Sequence, residues 1–390
     1  MSELFRTTVA TVDLAKLKHN FFQFKKSFQA ATYICPMIKA NGYGHGDVQV
    51  AKALEQVGAS ALGVALIEEG ILVRESGIQL PILHFGIFNT EQEARAIIEH
   101  RLTPVFSTWE HLRCFASVAP AGYPVQIKFD SGMHRLGFSP EHVPQLVSFF
   151  SSSPLQLQAI LTHLHTGEDA NLLDGLSSEQ LKVFQQIEKA FVGFKIFSHT
   201  LNSSGGLHFS QMQSQEVLAN GISTRQGLRP GLAIYGPSPI ANCPLDLKPV
   251  MTVTTKTVKY QYLPKGQGVS YNITWKAPKD SVVAVLPMGY ADGYHRLSSN
   301  KTQVLYRGKR VNVVGTVCMD YFLIDVTDCV AAGSVENLAH ETVVILGEDE
   351  FGNQVLAEEL AKKVGTIPWE ILTTVGQRVP RRYIESSKHS

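Results

Sequence analysis

Tyr33-Ile34-Cys35-Pro36-Met37-Ile38-Lys39-Ala40-Asn41-Gly42-Tyr43-Gly44-His45-Gly46 is the stretch whose reading decides the fold. An apolar run ends in a lysine. Three glycines and a tyrosine follow, and then an amphipathic segment. That order reads as a buried strand, a loop and a helix. A lysine at the end of a buried strand is costly unless its ammonium is paired or its proton is lost. Burial lowers its pKa, and a neutral lysine can form a Schiff base. The glycines would let backbone come close to a bound group. Taken alone, the stretch is read more simply as an exposed lysine on a strand-to-helix loop.

Outward from it, short apolar runs alternate with helical patterns from about residue 10 to 240. Asp13 can cap a helix whose apolar positions are Leu14, Leu17, Phe21, Phe24 and Phe28. Candidate strands are Tyr33–Ile38, Ala61–Leu66, Pro81–Phe85, Thr103–Phe106, Val125–Phe129, Gln158–Leu164, Lys195–Leu201 and a weaker one near Ser223–Leu228. Thr90 with Glu93, and Ser177 with Gln180, have capping-box spacing. Eight strand–helix units in roughly 230 residues fit a TIM-type (β/α)8 barrel of the α/β class. A doubly wound open sheet would give the same alternation, and the number of units favours the barrel.

The texture changes after Pro237–Pro249. Val250–Tyr262, Ser281–Leu286, Val304–Tyr306 and Val311–Val317 are β-rich, and Arg307-Gly308-Lys309 reads as a hairpin turn. Residues 1–240 are therefore expected to form a barrel domain and residues 241–390 a mainly β domain.

Composition narrows the function. Of 390 residues, 44% are hydrophobic and 18% charged, with a net charge of +1. That balance supplies a sizeable core and gives no electrostatic pointer to nucleic acid. No run approaches the length of a membrane span, and Met1–Leu14 has no apolar core of a signal peptide. The five scattered cysteines form no C-x-x-C pair and read as reduced thiols. A cytoplasmic enzyme with neither membrane nor nucleic-acid partner is expected, with no metal site.

In a barrel, chemistry sits where strands end. Lys39 ends the first strand, Lys128–Gly137 follows the fifth, and Thr162-His163-Leu164-His165 ends the sixth. His199, Asn202, Ser203 and Ser204 end the seventh, and Arg229-Pro230-Gly231 the eighth. His163 and His165 alternate, so at most one faces the mouth. Ser203 with the amides of Gly231 and Leu232 could cradle a phosphate.

The order of motifs closely resembles bacterial-type alanine racemases over nearly the whole chain. The pieces are Lys39–Gly46, Lys128–Gly137, Thr162–Glu168, His199–Ser203, Arg229–Gly236, Gly289–Gly293 and Gly315–Asp320. The resemblance implies pyridoxal 5'-phosphate held covalently by Lys39. It places the phosphate on Tyr43, Ser203, Gly231 and Leu232. His163 would lie against the cofactor ring and orient Arg229, which would face the pyridine nitrogen. Tyr290 would be the second base, and Arg135 and the Met319 backbone would handle the substrate carboxylate. Lys128 matches a position often carbamylated, where a carbamate would brace Arg135. The resemblance further implies a homodimer with sites shared between subunits, and L-alanine/D-alanine racemisation that supplies peptidoglycan. Departures are Gly42 for the usual alanine, Asn272 for the usual glycine after Val-Ser-Tyr, and Trp369 for a tyrosine that meets phosphate and narrows the entrance. Whether substrates other than alanine are accepted stays open at this level. A barrel-type decarboxylase would want an acidic residue where Arg229 stands, and a non-catalytic cofactor carrier would lack residues 241–390.

Overall fold

A computed structural model describes residues 5–28, 33–165, 175–211, 226–240, 242–330 and 340–385. The C-terminal part of the Thr162–Glu168 motif and the start of the expected Ser223–Leu228 strand lie outside these residues.

Seven parallel strands run in chain order: Leu62–Val64, Ile82–His84, Leu102–Phe106, Pro124–Lys128, Gln156–Leu161, Phe197–Leu201 and Gln226–Leu228. The segment 33–38 closes them into a barrel. It bridges Ile34 to Leu228 on one side and Met37 to Gly63 on the other. Cys35 N donates to Leu228 O (2.8 Å) and Ile38 N to Gly63 O (2.8 Å). This eighth strand is a pair of isolated bridges because Pro36 has no N–H to give to a continuous ladder. Cys35, Ala61, Leu83, Val105 and Leu161 fill the lumen, with Tyr33 and Phe85 against them.

Local signals account for most helices. Asp13 accepts from Ala15 N and Lys16 N and starts Leu14–Ser27, which buries Leu14, Leu17, Phe21 and Phe24. Full burial of such side chains contributes roughly 1.5–3 kcal/mol each. Thr90 and Glu93 form a reciprocal capping box on Glu91–Glu99. The second expected box is not one. Helix Leu176–Ala190 starts after Gly175, and the Gln180 side chain instead receives His165 N (2.9 Å) and donates to His163 O (3.2 Å).

The β unit is a ten-stranded sheet. Its hairpin turn Arg307-Gly308 has both φ angles positive (51° and 72°), which matches the twist of Gln303–Tyr306 and Lys309–Val314. One strand comes from the start of the chain. Val9–Asp13 lies between Met251–Lys256 (antiparallel) and Arg381–Ile384 (parallel). The sheet of the later residues is thus completed by the N-terminus, directly before the first barrel helix. Among the described residues no helix is long and apolar enough to cross a membrane.

Candidate active site

After Lys39 the chain makes a left-handed turn. Ala40, Asn41, Gly42 and Tyr43 have φ of 53°, 55°, 59° and 52°. Left-handed backbone costs roughly 1–2 kcal/mol at each non-glycine residue, so neighbours must hold it. The Nδ1–H of His45 donates to Gly42 O (3.1 Å) and Tyr43 O (2.9 Å). Burial holds His45 down to about 4, so the ring is neutral. Glu69 receives Ala40 N (2.7 Å) on one carboxylate oxygen and Ala65 N (2.8 Å) on the other. Arg381 Nε donates to Gly44 O (3.0 Å).

Two of the glycines admit close packing by the β unit. A Cβ on Gly44 would fall under 3.0 Å from the Leu372 carbonyl oxygen, and one on Gly46 would collide with the Tyr383 hydroxyl. Gly44 and Gly46 are glycines because helix Pro368–Thr373 and strand Arg381–Ile384 press on the loop at these positions.

Lys39 opens onto a cavity of 540 Å³ at the C-terminal ends of the barrel strands. Lys128, Arg135, His163, Arg229 and Trp369 share its lining with Lys39. Among the described residues no Asp or Glu lines it. Burial, then the Arg135 charge, lowers the Lys39 pKa, opposed by Glu69. Burial with Arg135 and Arg229 pushes Lys128 down to about 8. Burial and the same cations hold His163 at about 3, so it is neutral. Asp130 shapes the loop under Arg135. Its carboxylate accepts Gly132 N (3.0 Å), His134 N (2.9 Å) and Arg135 N (2.9 Å), and these bonds outweigh burial and lower its pKa.

One wall is a donor cradle. Gly231 N donates to Ser203 Oγ (2.8 Å), and a Cβ on Gly231 would stand 2.7 Å from Tyr43 Oη. Leu232 begins the short helix Leu232–Tyr235 beside it. Burial raises the Tyr43 pKa, so its hydroxyl stays a donor. Hydroxyls and amides around a space that only a missing Cβ keeps open suit a phosphate group. Trp369 and Thr373 of helix Pro368–Thr373 complete the lining, with Trp369 also packed on the core.

Arg229 is buried, and its orientation corrects the expected partner. Its guanidinium donates to His199 Nδ1 (2.8 Å), to the His199 carbonyl and to Thr162 O (2.6 Å). His199, not His163, holds it. His199 Nε2–H in turn donates to Gln126 Oε1 (2.7 Å), which fixes the tautomer. Burial and Arg229 keep His199 neutral. Arg229 is lowered to about 10 by burial and stays cationic at neutral pH. His163 and His165 do not alternate on a strand, because strand Gln156–Leu161 ends before them. The motif His199–Ser203 carried the signal for the His199 contact, but only the fold shows that Arg229 is its target.

Tyr290 and Met319 do not line this cavity. They sit together on the β unit, 42% and 52% exposed, where Ala291 N donates to Met319 O (3.0 Å). A third exposed group stands beside them. Tyr271 is 67% exposed, and its carbonyl accepts from Thr316 Oγ1 (2.9 Å). Its turn is strained, with positive φ at Ser270 (59°), Asn272 (60°) and Ile273 (46°). Such strain costs roughly 1–3 kcal/mol per residue and clusters at functional sites. The sequence signal was the Val-Ser-Tyr triplet before Asn272.

A closed barrel with a lysine, a phosphate-type cradle and a β unit pressing on the lysine loop defines a two-domain barrel enzyme with an anion-binding, lysine-bearing site. Two family models divide the chain: alanine racemase, N-terminal domain, over residues 12–239, and alanine racemase, C-terminal domain, over residues 250–383. The alanine racemase of Sorangium cellulosum is 36% identical over 97% of this chain and 100% of its own length. The Bacillus anthracis alanine racemase structure with bound L-Ala-P is 29% identical, with a TM-score of 0.86 over 99% of this chain and 97% of that one. The Bartonella henselae alanine racemase, solved with covalently bound pyridoxal phosphate, is 26% identical, with a TM-score of 0.82 over 97% and 99%. The chain belongs to the alanine racemase family.

Proposed function

We propose that this protein interconverts L-alanine and D-alanine with pyridoxal phosphate bound through Lys39, as a homodimer whose sites are shared. One observation carries the reading: Lys39, the Tyr43–Ser203–Gly231 cradle and the buried Arg229 meet in a single cavity. The cradle would hold the phosphate and His163 would lie against the ring. When bound, the cofactor is an electron sink that makes the substrate Cα–H acidic.

The chain's own groups do the rest. Arg229 has donors only, so it leaves the nitrogen it faces unprotonated. A decarboxylase-type carboxylate is absent from the lining among the described residues. Arg135 meets the substrate carboxylate, with the Met319 backbone of the partner beside it. A carbamate on Lys128 would brace Arg135, and the lowered Lys128 pKa favours that reaction. Lys39 Nζ, freed by substrate, takes or returns the Cα proton on the D-enantiomer face. The opposite face needs a second base, and Tyr290 and Tyr271, both exposed and outside the lining of their own cavity, would supply it to the site of a neighbouring subunit. Exposure and turn strain favour Tyr271 as the base and leave Tyr290 as a wall of the shared site. The division into a barrel unit ending near residue 240 and a β unit after it puts both tyrosines on the unit that reaches across. D-alanine made here would serve peptidoglycan, within a cytoplasmic setting.

Paired variants test this. A general base contributes roughly 10²–10⁴-fold. Tyr271→Phe should therefore lose at least about 100-fold in turnover, with proton exchange from L-alanine hit harder than from D-alanine. Tyr290→Phe should lose far less. Mixed Lys39→Ala and Tyr271→Phe subunits should regain activity, since one hybrid site keeps both groups. A larger loss in Tyr290→Phe would return the base to Tyr290. No complementation despite proven subunit exchange would refute shared sites.

A further inference from the structure

Asp292 is 0% exposed and follows Tyr290 on the same turn. A buried carboxylate is costly unless it is paired and hydrogen-bonded. Its Oδ2 accepts from Gly289 N (3.0 Å) and stands 2.7 Å from the Arg6 guanidinium. Its Oδ1 faces Arg378 Nε at 3.3 Å. Arg378 Nη2 donates to Asp320 Oδ1 (2.7 Å), and Arg6 donates to Arg378 O (2.8 Å). Two cations from the two ends of the chain thus balance two carboxylates.

The cluster brackets Met319. Asp292 lies on one turn, and Asp320 directly follows Met319 on the other. Between them Tyr290 N donates to Cys318 O (3.0 Å) and Ala291 N to Met319 O (3.0 Å). The turns lie so close that a Cβ on Gly289 would fall under 3.0 Å from both of those carbonyl oxygens. Met319 O is therefore occupied, whereas among the described residues none accepts from Met319 N. Side-chain packing does not hold this turn, since Met319 and Tyr321 are 52% and 49% exposed. Backbone pairing and the charge cluster do.

We propose that Arg378, clamped between Asp292 and Asp320, is a positioning residue that aims the Met319 N–H at the substrate carboxylate in the partner subunit's site. The assignment rests on the shared-site racemase reading above. Arg378 touches no reacting atom in it and acts through the turn. Its planar fork of donors suits a bridge between two carboxylates.

Propionate carries the substrate's carboxylate without its amine, and ethylamine carries the amine without the carboxylate. The test measures the inhibition constant of each on the cofactor-loaded enzyme. Arg378→Gln should raise the propionate constant roughly tenfold, the scale of one hydrogen bond to a charged group, and leave the ethylamine constant unchanged. Asp320→Asn separates position from charge. Removing an anion would by its field alone tighten propionate binding, whereas loss of the clamp weakens it. Hybrid dimers of Arg378→Gln with excess Lys39→Ala subunits locate the effect. Their one site with Lys39 borrows an intact Arg378, so its propionate constant should be that of the unaltered enzyme. Unchanged or tighter propionate binding in Asp320→Asn, equal losses of propionate and ethylamine in Arg378→Gln, or hybrids as weak as the Arg378→Gln homodimer would each overturn the proposal. Absence of racemisation by the unaltered protein would overturn the reading beneath it, and the proposal with it.

Discussion

Gly44→Ala would test the junction between the lysine loop and the β unit. At Gly44, φ is +83°. A side chain in the left-handed region costs roughly 1–2 kcal/mol. Its Cβ would also lie under 3.0 Å from the Leu372 carbonyl oxygen and 3.2 Å from the Leu372 carbonyl carbon. That neighbour is backbone of a packed helix and yields only by displacement, an overpacking cost of roughly 1–3 kcal/mol. The sum is about 2–5 kcal/mol. Gly365→Ala isolates the two parts. Gly365 has nearly the same φ, +81°, and nothing within 4 Å of its would-be Cβ. It should lose only the first part, about 1–2 kcal/mol. Urea unfolding at one protein concentration, with cofactor saturating, would measure both variants. Leu372 shares its helix with Trp369 and Thr373 of the cavity wall, so Gly44→Ala should also weaken cofactor retention while Gly365→Ala should not. Equal destabilisation by the two, with retention unchanged in both, would refute the close approach and the reason given for the glycine.

Lys128 should leave a signature in the pH dependence of stability. As a free amine its folded pKa, about 8, lies below the ordinary lysine value of 10.5, so between these the unfolded chain holds the extra proton and stability rises with pH. Lys128→Met should flatten that rise and be the more stable protein below pH 8, measured by urea midpoints from pH 7 to 10.5. His199→Phe should keep the tilted ring contacts with Tyr33 and Phe197 but leave one guanidinium N–H of buried Arg229 unpaired, at a cost of roughly 1–3 kcal/mol. A shifted visible spectrum of the bound cofactor should accompany it, and an unaltered spectrum and midpoint would place no weight on the Arg229–His199 contact. Trp369→Tyr should tighten cofactor affinity by the worth of a hydrogen bond to a charged group, roughly 1.5–3 kcal/mol, and ease turnover of serine relative to alanine. Unchanged affinity and rate ratio would reduce Trp369 to packing.

Much of the site was legible because barrels place strand ends side by side. Lys39, Lys128, His163, Ser203, Arg229 and Gly231 stand at the ends of local apolar runs, and local periodicity locates those ends. The hairpin at Arg307-Gly308 and the caps at Asp13 and Thr90 are likewise decided by neighbours a few residues away. Local pattern misplaced what depends on distant partners. Ser177 and Gln180 have capping spacing, yet Gln180 is spent on His163 and His165, 17 and 15 residues earlier in the chain.

The sequence by itself determined the alternation that makes the barrel, the β character of the later residues and the cluster of cations and hydroxyls at one barrel mouth. Tertiary structure alone decided that Val9–Asp13 joins the later sheet, that His199 orients Arg229, that Gly44 and Gly46 yield to the β unit, and that Tyr271 faces outward on a strained turn. The physical reason is range. Hydrophobic period and capping act within a few residues, whereas each of these contacts joins groups that only the closed fold brings within hydrogen-bond or van der Waals distance.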